Sequence, residues 1–380
     1  MVPKSARTLS VVSDFHRLAT MHPDWDSFVE SFSPSPFFLM GLLRYYFCLG
    51  GKGIHRFAAV MSEGDKPVGL AAFQMTDRYI FWKPRLFRFR SVEFLLPDHW
   101  TPDFVVQPDH RQEFVEGVLT LLFDTLGCRS ASLTLPSESP NAPVLRKWCE
   151  KRGIAVRHHP SDHRPRHAVM RIQGTWEEYL ALRGRKYVQN CDRSERNLAR
   201  AGRWSVSSGR VESQSVVDKI MEVDWNSWKQ EWRRSRGIEY DGSLVAILDY
   251  YRYSPGSKYC PLFWLLELDG RPIAFSVATI LGDVAYMFKA SYDVRYKCFA
   301  PGKVLDMETF HDIFKSKRVS RMDFFTSYNY MRPWTHETLG RETFIIENHR
   351  GPFKLSIRLM QSDYAAKVWH ALTKVEQETG

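Results

Sequence analysis

Residues that could bind or transform a substrate are concentrated in two short stretches of the sequence, the first of them around residue 300. This stretch contains Lys297, Ala300, Pro301, Gly302 and Lys303, where a strand pattern gives way to a helix pattern. The start of a helix leaves backbone N–H groups without intrahelical partners, and the aligned peptide dipoles add partial positive charge there. Residues 297–303, called the 297–303 turn below, are therefore predicted to bind a pyrophosphate. The alternative is a helix start with surface lysines.

The second stretch carries an acid at the end of a short apolar strand. Asp323 stands among apolar residues within the segment 321–325, and a carboxylate at this place could accept a proton from an attacking amine. Alternatively, Asp323 pairs with Arg321 or caps a turn. Tyr330 is a candidate proton donor to a leaving thiolate, or it packs beside Trp334. Asp323 and Tyr330 are thus the candidate catalytic residues.

Aromatic residues supply candidates for the substrate side. Trp225, Trp228 and Trp232 are spaced three and four residues apart, which places them on one face of a predicted helix over 215–234. Such a stripe is usually part of a core, and the alternative is an aromatic wall for an acyl chain or a sugar-like acceptor. Tyr286 and Lys289 lie on the strand that leads to the 297–303 turn, where they could face the acceptor.

A predicted helix over residues 185–201 carries a basic stripe. Polar positions recur there at three- and four-residue spacing and form one stripe with several positive side chains: Arg185/Lys186, Gln189/Asn190, Arg193, Arg196/Asn197 and Arg200. Side chains of this kind bind the phosphates of nucleic acids or of coenzyme A. A solvated helix face is the default interpretation, and binding of an aminoacyl-tRNA is the alternative.

Composition and charge limit the class of protein. The chain has 380 residues, 44% hydrophobic and 25% charged, which is typical of ordered globular proteins large enough for two domains. A formal net charge of +10 favours a polyanionic partner such as nucleic acid, a membrane surface or a phosphorylated cofactor. Six scattered cysteines without a CxxC pair favour reduced thiols, and no signal peptide or membrane span is evident. We expect a soluble, cytoplasmic protein.

The polar segment 158–167 is predicted to connect the two domains, which divides the chain into residues 1–160 and 161–380. It contains four histidines and two prolines. The prolines disrupt any regular ligand face and no cysteine accompanies the histidines, so a solvated linker is favoured over a metal site. No metal is expected.

The two halves share an order of elements. Each has N-terminal helices, then a strand, a charged glycine turn and a strand, with PVGLAAF at residues 67–73 and RPIAFSVA at 271–278, and then a helix and a strand. A recurring order of this kind indicates a duplicated mixed α/β fold.

Four features of the second half resemble the GNAT superfamily of acyltransferases. They also resemble its tandem CelD-like, or cellulose-biosynthesis-type acetyltransferase, group, which is related to the Fem peptidyltransferases. The features are Trp176–Leu182 before the basic helix, the hairpin Gly270–Ala278, Tyr292-Asp293 followed by Tyr296 and Ala300-Pro301-Gly302, and Asp323-Phe324 followed by Tyr330 and Trp334.

The resemblance implies two tandem GNAT-like domains, each a mixed central sheet flanked by helices. The N-terminal domain would be degenerate and the C-terminal domain would bind acyl-CoA, for example acetyl-CoA, at the 297–303 turn. An acetyl or longer acyl group would move to a small-molecule or peptide amine by direct attack. The acceptor would meet Trp225, Trp228, Tyr286, Lys289, Arg332 and Trp334.

The sequence departs from the family pattern at three places. The glycine that usually follows the Asp-Phe pair is replaced by Phe325 or Thr326. Met331 stands where the family usually has a lysine, with Arg332 beside it, and the usual glycine-rich phosphate string is replaced by Pro301-Gly302. Two alternatives therefore stay open. One is a Fem-like aminoacyl transferase that uses aminoacyl-tRNA, and the other is a non-catalytic binding protein with the GNAT fold.

Overall fold

The computed structural model describes residues 7–33, 35–48, 53–81, 86–96, 102–158, 166–234, 242–325 and 331–348. Within these ranges no helix has the length and apolar character needed to cross a membrane. The apolar pattern of the sequence also predicts a strand at 353–358, which lies outside the described residues.

The strands of the described residues join into one 14-stranded sheet and are numbered β1 to β14 along the chain. Their bounds are Arg7–Val12, Ile54–Glu63, Lys66–Phe81, Leu86–Phe94, Val105–Val106, Ser130–Pro136, Ala155–His158, Arg166–Arg171, Trp204–Arg210, Leu262–Leu268, Arg271–Leu281, Val284–Tyr292, Arg321–Asp323 and Thr338–Glu347.

The helices of the described residues are numbered α1 to α12. Their bounds are Phe15–Met21, Trp25–Phe32, Met40–Cys48, Arg111–Thr120, Ala142–Lys151, Trp176–Ala181, Arg185–Ala201, Gln214–Trp225, Lys229–Arg234, Gly242–Leu248, Tyr250–Tyr253 and Pro301–Ser316. Short 3-10 segments cover Pro36–Phe38, Pro108–His110 and Val294–Phe299, and a π-helical turn over Leu121–Thr125 follows α4.

Each half of the sheet is built in the same way. In the first half β2, β3 and β4 form an antiparallel meander, and α4 leads to β6, which lies parallel to β4. In the second half β10, β11 and β12 form the meander, and α12 leads to β13, which lies parallel to β12. The fold is therefore mixed α/β with a repeated order of elements, as the sequence predicts. The division at residue 160 stays a prediction.

Strand β14 connects the two halves of the sheet. Its first residues pair with β8, with Leu339 opposite His167, and its later residues pair with β6 and β7. Gly340 stands at the crossover, where a Cβ atom would lie 2.5 Å from Ser137 Oγ, so the close approach requires glycine. A strand late in the chain thus completes the sheet of the first half.

The core consists of clusters on both sides of the sheet. One cluster packs α4 and α5 on the first half, and a second packs α6, α7 and α12 on the second half. A third cluster contains residues of both halves. In it the Phe37 ring from the first half lies 5.1 Å, centroid to centroid, from both Phe288 and Phe325. The two halves therefore share buried apolar surface.

The predicted helix over 215–234 is interrupted. Helix α8 ends at Trp225 and α9 begins at Lys229, because Ser227 leaves the helix to form a β-bridge with Asp293. Trp225 and Trp228 are 40% and 57% exposed, so the core interpretation of this stripe is wrong for both. The Trp232 side chain lies outside the described part.

Candidate active site

The 297–303 turn lies at the start of α12, as the sequence predicts. Ala300 adopts a left-handed conformation with φ 51°, which ends the 3-10 segment and turns the chain into α12 at Pro301. Gly302 lies beside Tyr292, the last residue of β12, with 3.5 Å between its ideal Cβ position and Tyr292 Cδ1. Lys297 and Lys303 are exposed. The turn thus combines a helix start with two solvent-accessible cations.

A buried carboxylate holds the chain that enters this turn. Asp293 is 1% exposed, accepts a hydrogen bond from the Arg295 backbone N–H at 2.9 Å and forms an ion pair with the Arg295 guanidinium. The backbone N–H of Val294 donates a hydrogen bond to the backbone carbonyl of Asn226 at 3.1 Å, which connects the turn to the end of α8. The conformation before the turn is therefore fixed by side-chain as well as backbone contacts.

Helix α7 packs beside the first turns of α12. Burial raises the pKa of Asp306, on the second turn of α12, to about 7. Burial also raises the pKa of the Tyr187 hydroxyl and of the Cys191 thiol on the facing side of α7, and both groups lie near Asp306. The charge of Asp306 therefore changes close to neutral pH.

Strand β12 separates from β13 partway along its length. The two pair in parallel only through Val284–Tyr286, because β13 ends at Asp323 opposite Tyr286. Residues 287–292 of β12 have no partner strand on that side among the described residues. A β-bulge at Phe288 shifts the register with β11 in the same region. An open strand edge therefore runs from Asp323 to the 297–303 turn.

Asp323 lies at the inner end of this open edge in a buried pair with His167. Asp323 Oδ2 is 2.9 Å from His167 Nε2, and the residues are 4% and 3% exposed. Asp323 Oδ1 accepts the Phe325 backbone N–H at 2.9 Å, so the carboxylate also caps the turn after β13. Asp323 thus caps the turn, which is one of the alternatives that the sequence offers, and it also has His167 as a side-chain partner.

Tyr286 lies next to this pair. It is 3% exposed and stacks on Phe325 with 5.6 Å between ring centroids. Burial, and then the neighbouring charge of Asp323, raise the pKa of the Tyr286 hydroxyl, which keeps it protonated. Because Tyr286 pairs with Asp323 across β12 and β13, a neutral hydroxyl lies near the carboxylate.

The His167–Asp323 pair lines a cleft of about 430 Å³ at the junction of the two halves. Residues of the first half on its wall include Asp103, Arg111 and Asn141, and residues of the second half include Arg321. Burial raises the pKa of Asp103 to about 6, although hydrogen bonds from Ser139, Asn141 and the Phe104 N–H act in the opposite direction. The cleft therefore contains charged groups from both halves.

The remaining predicted substrate residues lie in different places. Trp225 and Trp228 are exposed near the end of β12, where the neighbouring Lys229 donates to the Ala290 carbonyl at 2.8 Å. Lys289 is half-buried on β12 and Arg332 is exposed. Tyr330, the second candidate catalytic residue, lies outside the described residues.

The prediction that Trp334 contacts the acceptor is wrong, because its side chain is fully buried. The ring packs edge-on against Phe310 at 4.8 Å and against Tyr187 at 5.1 Å, measured between centroids. Its carbonyl accepts hydrogen bonds from Tyr179 and Arg183. Trp334 is a core residue beneath α12, and its aromatic neighbours leave it no open face.

The sequence predicts that His167 lies in a solvated linker, and the structure corrects this. It lies on β8 with its ring buried, opposite Leu339 of β14. No spacing rule connects His167 with Asp323, and the only available signal is the run of apolar residues at 168–170. No cluster of three metal-ligand side chains occurs in the part of the chain that the structure describes.

Comparison with known proteins gives a family match within the second half. Residues 185–332 match the family model described as an acetyltransferase (GNAT) domain. This range includes α7, the meander β10–β12, the 297–303 turn and Asp323. No curated protein matches the sequence.

Solved structures share the fold over nearly the whole chain. FemX matches with a TM-score of 0.55 and 10% identity, covering 88% of this chain and 97% of FemX. A conserved protein of unknown function from Bacteroides thetaiotaomicron matches with a TM-score of 0.53 and 11% identity, covering 86% and 97%. L-PGS from Bacillus licheniformis matches with a TM-score of 0.52 and 10% identity, covering 89% and 94%.

These likenesses concern the fold, whereas the family match concerns the segment that carries the candidate site. That segment has the helix start, the open strand edge and the buried carboxylate described above. The chain therefore contains, over residues 185–332, a segment that matches the acetyltransferase (GNAT) domain family.

Proposed function

We propose that the protein transfers an acetyl or longer acyl group from acyl-CoA to a small-molecule or peptide amine, by direct attack within a ternary complex. The observation that carries this proposal is the open edge of β12. The 297–303 turn lies at one end of the edge and the His167–Asp323 pair at the other. From Tyr286 to Tyr292 the strand spans about 20 Å at its usual rise per residue.

This separation suits a long donor. The pyrophosphate of coenzyme A would meet the N–H groups at the start of α12, with Lys297 and Lys303 adding charge. The extended arm of the donor would follow the unpaired edge of β12 and hydrogen-bond to its backbone. The thioester would then reach Asp323 and His167. The turn and the carboxylate are thus the two ends of one site.

His167 and Asp323 together provide a base for the reaction. If His167 donates Nε2–H to Asp323, Nδ1 remains as the acceptor, and no hydrogen-bond partner of Nδ1 occurs within the described residues. Asp323 would orient the imidazole and stabilise its protonated form. Asp323 then acts as a positioning residue, with His167 as the group that accepts the proton.

The transfer step balances without a further reactant. The amine nitrogen bonds to the thioester carbonyl carbon, the carbon–sulfur bond breaks, and one amine proton passes to His167 Nδ1. Coenzyme A leaves as a thiolate and takes up a proton, for which Tyr330 is the proposed donor. The first half, residues 1–160, would be a degenerate copy that forms the opposite wall of the cleft.

Calorimetric titration of coenzyme A tests the donor assignment. We expect the double variant Lys297→Gln with Lys303→Gln to bind at least tenfold more weakly, since about 1.4 kcal/mol of lost interaction is tenfold in affinity. The control is Lys315→Gln with Lys317→Gln, which removes two exposed lysines at the other end of α12. An equal loss in both double variants, or none in either, would remove the cofactor role of the turn.

A Fem-like transfer from aminoacyl-tRNA is the second candidate, and α7 favours it. Arg185, Lys186, Arg193, Arg196 and Arg200 are exposed and form no ion pair within the described residues. Because α7 packs beside α12, this stripe lies on the helix next to the one that carries Lys303. A chain of phosphates could therefore lie along it.

The tRNA candidate is tested by its dependence on salt. If tRNA is the donor carrier, tRNA affinity should fall steeply between 50 and 200 mM salt, and replacing Arg193, Arg196 and Arg200 by Gln should flatten that slope. The same preparation is titrated with coenzyme A. Binding of tRNA without binding of coenzyme A would favour the Fem-like reaction.

A further inference from the structure

The cleft between the halves has features that the donor site does not use. It is lined by the end of α2, by segments around Asp103 and Asn141, by β13 and by the crossover of β14 at Leu339 and Gly340. It meets the donor site at Asp323 and Phe325, since both line the cleft and also stand where β12 and β13 separate. A molecule in the cleft would thus reach the same base from the other side.

Several residues that line this cleft carry a buried polar atom without a hydrogen-bond partner among the described residues. Four of the residues that line it have such an atom among the described residues: Arg111 Nε, Asn141 Oδ1, His167 Nδ1 and Arg321 Nε. His167 is itself 3% exposed. A buried donor or acceptor without a partner is destabilising, so several in one cleft indicate that a polar ligand or water completes them.

The charges on the cleft wall indicate which ligand would fit. Arg111 and Arg321 supply guanidinium groups, which match the planar oxygens of a carboxylate. Asp103, Glu138 and the Asn141 carbonyl oxygen supply acceptors for an ammonium or amine group. Cations and acceptors from both halves therefore line one cleft that has room for a small molecule.

We propose that this cleft is the acceptor site and that it recognises an amine bearing a carboxylate, that is, an α-amino acid or the corresponding end of a peptide. Arg111 and Arg321 hold the carboxylate, and the amine is directed to His167 Nδ1. The role of this cleft as an acceptor site rests on the proposed acyl transfer. The binding of an amino acid does not, because it depends on the residues of the cleft alone.

The test uses saturation-transfer NMR on the full chain without a donor. The probes are L-lysine, L-ornithine, L-phenylalanine and L-serine, each paired with the amine that lacks its carboxylate: cadaverine, putrescine, phenethylamine and ethanolamine. We expect signal from at least one amino acid that is fivefold or more above the signal from its paired amine. Equal signals within every pair, or no signal from any amino acid, would overturn the proposal.

Single variants locate the binding. Arg111→Gln and Arg321→Gln should each lower the amino-acid signal at least fivefold, and Arg321→Lys should restore part of it. The control is Arg271→Gln, an exposed arginine on β11 outside the cleft, which should leave the signal unchanged. Because the two arginines stand in different halves, misfolding of one variant leaves the other as a test. Retained signal in both folded variants would also overturn the proposal.

A titration with coenzyme A on the same samples separates this proposal from the proposed donor. Binding of coenzyme A without any amino-acid signal contradicts the acceptor site and leaves the donor assignment intact. Arginine-dependent amino-acid binding without coenzyme A binding supports the cleft and contradicts the donor assignment.

Discussion

His167 Nε2 lies 2.9 Å from Asp323 Oδ2, although 156 residues separate the two in sequence. The contact joins adjacent strands, because β8 lies between β14 and β13. Both side chains are almost fully buried at the place where the sheet opens. A carboxylate and an imidazole are thereby held in one orientation at the meeting point of two accessible spaces.

The first prediction concerns this pair. Asp323→Asn and His167→Gln should each lower kcat by about 10²-fold or more, which is the usual effect of losing a positioned acid or base, with coenzyme A affinity unchanged. Steady-state thiol release measures kcat, and the exposed Asp218→Asn on α8 is the control. Unaltered turnover in either folded variant would exclude that residue from proton transfer.

The second prediction concerns Asp103 and pH. Burial raises the pKa of Asp103 to about 6 in the folded protein, above the value near 4 expected for the unfolded chain. The folded state therefore holds this proton more tightly, so the unfolding free energy falls as pH rises from about 4 to 6 and stays lowered above that. Asp103→Asn should raise stability at pH 7.5 by up to about 3 kcal/mol and by less at pH 5.

Urea unfolding at the two pH values measures this effect. The control is Asp109→Asn, at an exposed aspartate in the nearby 3-10 segment. It should leave the unfolding free energy unchanged at both pH values. A stability gain of the Asp103 variant that does not depend on pH would show that packing, and not the charge, is responsible.

The third prediction distinguishes a core residue from a substrate contact. Trp334→Ala should lower the unfolding free energy by about 3–5 kcal/mol, since the ring is fully buried among aromatic neighbours. Trp334→Phe should recover part of that loss. Urea denaturation measures both, and the exposed Trp228→Ala serves as the comparison. An unchanged stability with a raised acceptor KM would return Trp334 to the acceptor site.

The fourth prediction links Asp306 to donor affinity. Burial raises the pKa of Asp306 to about 7, so its carboxylate is mostly neutral at pH 6 and mostly charged at pH 8. A negative charge on the second turn of α12 opposes a bound pyrophosphate, which should weaken coenzyme A binding about twofold across this range. Calorimetry on Asp306→Asn beside the parent isolates the contribution of this carboxylate from the titration of coenzyme A itself. Equal pH dependence in both proteins would contradict the prediction.

Much of the fold follows from local sequence. Spacing and turn residues predict the helix over 185–201 and the strands at 67–73 and 271–278, and the structure has them as α7, β3 and β11. The tryptophan stripe failed because Ser227 bridges to Asp293, a contact between distant residues that outweighs helical periodicity. Local patterns thus gave the elements, and long-range pairing decided where they end.

The candidate site was predictable only in part. Asp323 and the 297–303 turn carry local signals, an acid in an apolar strand and a Pro-Gly helix start. His167 carries no such signal, because its burial depends on β14 and its partner stands on β13. The cleft likewise combines residues around 31, 103, 141, 167 and 321, which only the folded sheet brings together.

The position of β14 has a consequence for biosynthesis. Until residues 338–347 leave the ribosome, the edges of β6 and β8 that they cover have no partner, and Arg341 cannot donate to the Phe325 carbonyl. The amino-terminal half therefore has an unprotected sheet edge until residues 338–347 have been translated. The first half expressed alone would lack β14. The second half expressed alone would lack the wall of the cleft that the first half provides.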